Sequence, residues 1–86
     1  SSGRERPKVR IIRMRKVPFV DSTGIHNLTN LCEMSKNDGI EIILSGVNTK
    51  VRAALAKAGF SKVVDDNHVC DHINDALEKA RNVINK

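Results

Sequence analysis

The stretch Phe19-Val20-Asp21-Ser22-Thr23-Gly24-Ile25 decides the fold of this chain. An apolar pair ends in an acid, two hydroxyls and a glycine, and a helical apolar pattern follows at once. This order predicts a strand that delivers the chain to a turn, and a turn that opens a helix. Ser22 or Thr23 can cap the helix by accepting bonds from its free N–H groups. Gly24 leaves room for another backbone or a ligand.

A hydroxyl at a helix N-terminus also suits phosphate, because unpaired N–H groups and the helix dipole both favour negative charge there. The spacing alone therefore leaves three roles open for Ser22: a phosphoacceptor, part of an anion pocket, or a plain cap. On spacing alone, the plain cap is favoured.

The apolar pattern on either side of this turn predicts the other elements. Strands are expected at residues 9–14, at residues 40–44, where the apolar run is nearly continuous, and at Val63–Val64. A continuous run of this kind is typical of strands buried on both faces of a parallel sheet. Helices are expected at about residues 23–36, 51–58 and 73–84, where apolar residues recur at helical spacing.

Turn and cap residues separate these elements. Asn48 is predicted to cap the second helix and Asp71 the third, and Gly59 is expected just beyond the end of the second. Strands and helices then alternate, which predicts an α/β fold with a sheet of mostly parallel strands flanked by helices. Ligands or modifications are expected at the carboxyl edge of such a sheet, where Ser22, Thr23 and residues 45–49 should lie.

Composition and charge limit the function classes. The 86 residues suit one small domain of marginal stability, and no apolar run is long enough for a transmembrane helix. The net charge is +5, but residues 1–16 hold seven Lys/Arg and one acid, while the other seventy hold eight Lys/Arg and nine acids. The basic end suits a solvated strand and linker first, and proximity to an anionic membrane second. Only two aromatic residues are present, which leaves no stacking platform for nucleic acid.

Signs of catalysis, of a metal site and of a cofactor are all lacking in the sequence. His26, His68 and His72 do not stand at metal-ligand spacing with cysteines or acids. Ser22 has no nearby base to make it a nucleophile, and the glycines form no phosphate-binding loop. Cys32 and Cys70 are expected to be buried, reduced thiols on helices.

Three segments together resemble the STAS domain, the domain of sulfate transporters and anti-sigma factor antagonists. They are residues 20–25 (VDSTGI), residues 44–48 (LSGVN) and residues 55–60, in which Leu55 precedes Gly59-Phe60. The ending at residues 69–77, with His72-Ile73-Asn74 before Ala76-Leu77, resembles the SulP transporter branch of that family. The resemblance covers about residues 9–84.

The resemblance implies a cytoplasmic domain at the C-terminus of an inorganic-anion transporter, at the inner face of its membrane and without enzyme activity. Its expected partners are the membrane domain of its own transporter, and a regulatory protein or a nucleotide. The alternative is a free anti-sigma factor antagonist that is switched by phosphorylation at Ser22. The nucleotide, anion or partner contacts that the family implies fall on six residues: Asp21, Thr23, Gly24, Gly46, Asn48 and Thr49.

One departure from the family pattern concerns the N-terminal end. A full STAS domain has two strands and a helix before the strand that begins at Val9, and residues 1–8 have no room for them. We therefore interpret residues 1–8 as a basic tail or an expression remnant, and residues 9–86 as the C-terminal two-thirds of the domain. A strand edge left open in this way invites self-association.

Overall fold

A two-stranded parallel sheet lies at the centre of the computed structural model, which describes residues 8–85. The strands run in register from Lys8 opposite Ile40 to Arg13 opposite Ser45. The helices and strands are, in chain order, β1 (Lys8–Arg13), α1 (Ser22–Asn37), β2 (Ile40–Ser45), α2 (Thr49–Lys57) and α3 (Ile73–Ile84). Two parallel strands flanked by three helices confirm the predicted α/β fold.

The hydrophobic core lies on both faces of β2. Ile42 and Leu44 belong to a cluster that contains residues of α1 and α2, such as Cys32 and Val51. Ile43 packs on the other face, against Ala76 and Ala80 of α3, with Cys70 beside them. Ile43 and Leu44 are both 0 % exposed, as expected from a continuous apolar strand in a parallel sheet.

The prediction of a strand at Val63–Val64 is wrong. The chain forms a short 3-10 turn over Phe60–Lys62, and the N–H groups of Val63 and Val64 both donate to the Phe60 carbonyl, at 2.9 and 3.0 Å. These donors are therefore not available to a sheet ladder. The contact with β2 is made later, by Val69, which forms a single parallel bridge with Leu44. Val64 still contributes its buried side chain to the core.

Two of the predicted helix caps are corrected. Asp21, not Ser22 or Thr23, caps α1: its Oδ1 accepts the Gly24 N–H at 2.8 Å. Asp71 does not cap α3, because the cap position is His72, whose side chain makes no capping bond. The Asp71 carboxylate is instead paired with Arg52 at 2.6 Å.

Two further caps are as the sequence predicts. Asn48 caps α2, with Oδ1 accepting the Val51 N–H at 2.8 Å. Gly59 lies beyond the end of α2 with φ of 77°, the left-handed conformation that glycine adopts without strain.

The outer edge of β1 pairs with no strand among the described residues, since the sheet ends there. Nearly all of the predicted basic tail lies outside the described residues; of residues 1–8 only Lys8, at the start of β1, is described. Two residues of this strand, Val9 and Ile11, pack against the α3 side of the sheet.

Candidate functional site

A cavity of about 650 Å³ opens at the carboxyl ends of β1 and β2. Its lining includes the ends of both strands, the start of α2 and the start of α3. The lining residues are Arg13, Arg15, Ser45, Gly46, Val47, Asn48, Thr49, Asp71, His72, Ile73 and Asn74. Parallel strands bring their carboxyl ends to one edge, so the cavity lies where an α/β sheet ordinarily binds ligands.

Gly46 brings the two strand ends together. It has φ of 70°, and a Cβ built on it would lie 2.9 Å from both Cα and N of Arg15. Real Cβ atoms essentially never come so close to a backbone atom. The backbone after β1 can therefore pass over this turn only because residue 46 has no side chain, and this passage holds Arg15 at the cavity.

Asn48 joins the cavity to the segment that leads into α1. While its Oδ1 caps α2, its Nδ2 donates to the carbonyls of Val17 and Pro18, each at 3.2 Å. One amide side chain therefore uses both its acceptor and its donors, and an acid of the same shape could not replace the donors.

The first turns of α2 and α3 both face the cavity. In α2, the Val51 N–H is satisfied by the Asn48 side chain and the Arg52 N–H by the Asn48 carbonyl. In α3, the Ala76 N–H donates to the His72 carbonyl, and no side chain caps the turn. The earlier N–H groups of each turn have no acceptor among the described residues.

Arg52 ties α2 to the segment before α3. Its Nη2 donates to the Val69 carbonyl at 2.7 Å and to Asp71 Oδ1 at 2.6 Å. Among the described residues, Asp71 is the one carboxylate that lines the cavity, and its ion pair with Arg52 offsets its charge. Both side chains are partly exposed, so we expect the pair to position the α3 turn more than to stabilise the fold.

The turn at the start of α1 lies outside this cavity. Asp21, Ser22 and Thr23 are exposed and Gly24 is half-buried. A Cβ on Gly24 would meet only Asp21 Oδ1 at 3.3 Å and Val20 Cβ at 4.0 Å. Gly24 therefore makes room for the capping carboxylate and not for a second backbone among the described residues.

Comparison with known proteins identifies the family. The family model of the STAS domain matches residues 2–80. The chain belongs to the STAS domain family. The family resemblance of the sequence motifs is thereby confirmed.

Three similar proteins are named for sulfate transport or for the SulP family. A sulfate transporter family protein from Wolinella succinogenes superposes with a TM-score of 0.87 at 38% identity, over 96% of this chain and 68% of that one. The SulP transporter STAS domain from Vibrio cholerae gives 0.84 at 36% identity, over 98% of this chain and 66% of that one. A probable sulfate transporter 4.2 from Arabidopsis thaliana is 28% identical over 76 residues, which are 88% of this chain and 11% of that protein.

This STAS domain divides the six predicted contact residues between two places. Gly46, Asn48 and Thr49 meet in the cavity, whereas Asp21, Thr23 and Gly24 surround the exposed start of α1. The Asn48 bonds to Val17 and Pro18 are the link between the two places.

Sequence reasoning missed the arginines of the cavity. Arg13 and Arg15 were assigned to a solvated basic end, although Arg13 ends β1 directly opposite Ser45. The signal that finds them is the parallel pairing itself. Once β1 and β2 are taken as parallel, the residues that follow β1 must lie beside those that follow β2.

The two cysteines of the STAS domain are buried free thiols, as predicted, but Cys70 precedes α3 and does not lie on a helix. Burial, with the Glu33 charge adding to it, raises the pKa of Cys32 to about 11. Burial, followed by the Asp75 charge, also raises the pKa of Cys70. Neither thiol is therefore set up as a nucleophile near neutral pH.

Two negative findings apply to residues 8–85. No three His, Cys, Asp or Glu side chains converge there at a distance that would hold a metal ion. Within the same residues, no helix has both the length and the apolar character needed to cross a bilayer.

Proposed function

We propose that this chain is a cytoplasmic regulatory and protein-interaction module of a SulP-type inorganic anion transporter, without enzyme activity of its own. The observation that supports this most is the match to the Wolinella sulfate transporter family protein, at 38% identity over 96% of the chain. The chain spans only 11% of the length of the plant sulfate transporter that it matches. The transport activity would therefore belong to a much larger protein, in which this domain contacts the membrane part.

The names of the similar proteins favour the transporter branch of the family over a free anti-sigma factor antagonist. The three relatives described above are named for sulfate transport or for the SulP family. The ending at residues 69–77 supports the same branch from the sequence side.

The open reading frame that encodes this chain tests the proposal. We expect upstream apolar spans of about 20 residues each, and we expect the encoded protein to restore sulfate uptake in a strain that lacks its own sulfate transporters. Deleting residues 9–86 should lower uptake or the amount of protein in the membrane. A short free gene for this domain, without membrane spans, would contradict the proposal.

We propose Ser22 as a regulatory phosphoacceptor, with Asp21, Thr23 and Gly24 as the surrounding partner contact. Ser22 is exposed in the first turn of α1, and Asp21 already supplies the cap. A phosphate there adds about −1.5 to −2 charges at pH 7. The helix N-terminus offsets this by roughly 0.3–1 kcal/mol, while the adjacent Asp21 opposes it.

Ser22→Asp should therefore leave the domain folded and change what it binds. Thermal melting and pull-down with the membrane domain should be compared for Ser22→Asp, Ser22→Ala and Ser61→Asp, since Ser61 is an exposed serine in the short turn after α2 and not in the first turn of α1. A large loss of stability in Ser22→Asp alone would show that this position is a packed structural site and not a switch.

A further inference from the structure

We propose that a strip of basic residues along β1 and the turn after it lies against a lipid bilayer that contains anionic lipids, with the Phe19 ring inserted among the headgroups. The basic strip consists of Lys8, Arg10, Arg13, Arg15 and Lys16. The domain would make this contact by itself, so the contact can be tested on the chain alone and independently of the transport proposal.

The first argument is the charge of the basic strip. All of its side chains are exposed, and no acid occurs in the sequence between Lys8 and Val20. Within residues 8–85 the one ion pair joins Arg52 to Asp71, so no carboxylate of that part of the chain is paired with the strip. Clusters of about four to eight basic residues are attracted to the anionic lipids of a membrane surface.

Glu41 of β2 lies beside β1 but does not cancel the charge of the strip. Successive side chains of a strand point to opposite faces of the sheet. Lys8 and Arg10 share the face of Ile12, which packs on the α1 side. Glu41 shares the face of Ile43, which packs against α3. The acid and these two basic side chains are therefore separated by the sheet.

The second argument is the exposed ring of Phe19, just after the basic strip. Phe19 is 69 % exposed, the highest value among the large apolar residues of the described chain. The segment around it is not loose, because Val17 and Val20 pack against the core and Asn48 Nδ2 donates to the Val17 carbonyl at 3.2 Å. The fold therefore holds an aromatic ring outward. Without this ring, the strip would be an ordinary solvated strand.

The basic strip and Phe19 together favour a bilayer over a nucleic acid or an acidic protein. Binding at a membrane surface grows with the apolar area that is inserted and with the attraction to anionic lipids, and both contributions come here from one short stretch of chain. A single-stranded nucleic acid stacks successive bases on aromatic rings, but the second aromatic residue, Phe60, is 3 % exposed. An acidic protein would leave the Phe19 ring without a role.

Vesicle sedimentation with the 86-residue chain tests the contact. Vesicles of phosphatidylcholine alone are compared with vesicles of phosphatidylcholine and the anionic phosphatidylglycerol in equal parts. We expect binding to the mixed vesicles only. This binding should weaken about tenfold or more between about 0.1 M and about 1 M sodium chloride, where the Debye length falls from about 10 Å to about 3 Å.

Three results of this experiment would overturn the proposal. Equal binding to both kinds of vesicle would exclude the attraction to anionic lipid, and so would binding that salt leaves unchanged. Tighter binding of polyglutamate or of a single-stranded oligonucleotide than of the mixed vesicles would assign the strip to an acidic protein or to a nucleic acid.

Spin-labelled lipid locates the surface on the unchanged chain, so this measurement does not depend on the folding of any variant. In bicelles of the same two lipids, a nitroxide on the headgroup should broaden the amide NMR signals of Lys16 and Phe19 more than that of Lys57, at the end of α2. Strongest broadening on α2 or α3 would overturn the proposal.

Matched charge variants separate this contact from attraction by net charge. Arg10→Gln combined with Lys16→Gln should weaken binding to the mixed vesicles about fivefold or more. Lys57→Gln combined with Lys62→Gln removes the same charge from exposed positions outside the strip and should weaken it less than about twofold. None of these four residues lines the cavity at the carboxyl ends of the strands. Equal weakening by the two pairs would overturn the proposal.

A matched pair of apolar variants tests the inserted ring. Phe19→Ser should weaken binding about fivefold or more. Met34→Ser, at a residue of α1 that is 65 % exposed, should change it less than about twofold. Circular dichroism of each variant checks that it is folded. Equal effects of Phe19→Ser and Met34→Ser would overturn the proposal.

Discussion

Replacing Gly46 with alanine should destabilise this domain much more than replacing Gly39 in the same way. Both residues have positive φ, 70° at Gly46 and 77° at Gly39, so alanine is strained at either position. Their surroundings differ. A Cβ on Gly46 would lie 2.9 Å from two backbone atoms of Arg15, whereas a Cβ on Gly39 would meet nothing within 4 Å.

The expected losses of stability follow from the backbone strain at positive φ and from the steric clash of the added Cβ. Left-handed backbone costs an alanine about 1–2 kcal/mol, and Gly39→Ala should lose that amount alone. Gly46→Ala adds an overpacking cost of about 1–3 kcal/mol. The clash is with backbone atoms of Arg15, which cannot change rotamer to avoid it as a side chain can. A domain of this length has a total stability of roughly 4–13 kcal/mol, so Gly46→Ala should remove a large share of it.

Urea denaturation followed by circular dichroism measures the difference, since the chain has no Trp or Tyr for fluorescence. The two variants should unfold with similar slopes, and the midpoint should fall much further for Gly46→Ala. Equal midpoints for the two variants would refute the reasoning, because they would mean that the strand end moves away from residue 46 without cost.

Three further outcomes are expected. Asn48→Asp keeps the cap on α2 but loses both donors to the Val17 and Pro18 carbonyls, so its free energy of unfolding should fall by about 1 kcal/mol. For Asn48→Ala the fall should be about 2–3 kcal/mol, because the cap is lost too. A lower melting temperature for Asn48→Asp than for Asn48→Ala would contradict these bonds. The pKa of Cys32 is raised from 9.0 to about 11 in the folded state, so the free energy of unfolding should fall as pH rises from about 9 to about 11. The fall should be shallower in Cys32→Ala. An identical pH profile in the two proteins would show that titration of the Cys32 thiol does not cause it. The outer edge of β1, which pairs with no strand within residues 8–85, should allow self-association that strengthens in 1 M salt, where the Debye length is about 3 Å and repulsion between the basic N-terminal ends of two chains is screened. Sedimentation that finds a folded monomer at low and high salt would contradict this expectation.

Elements with strong local signals were predictable from the sequence. The apolar run at residues 40–44 gave β2, and Asn48 and Gly59 marked the two ends of α2. In these places the residue type and the required geometry agree, as they do for a glycine at positive φ after a helix.

Elements that depend on distant partners were not predictable in the same way. Val63 and Val64 have strand propensity, but a local turn on the Phe60 carbonyl takes their N–H groups. Asp71 has the residue type of a cap, but Arg52, nineteen positions earlier, draws its carboxylate away. Arg13 and Arg15 become cavity residues only through the pairing of β1 with β2. In each case a tertiary contact overrides the local preference.

The attachments of the connection between β1 and α1 limit how much its length can vary among relatives. Surface connections usually tolerate insertions and deletions, but this one is fastened along its course. The Met14 N–H donates to the Ser45 carbonyl at 2.7 Å, the backbone of Arg15 lies over Gly46, and Asn48 holds the carbonyls of Val17 and Pro18. One added residue would shift the backbone so that at least one of these contacts could not form. We therefore expect relatives to keep the number of residues in this connection constant while the residue types vary.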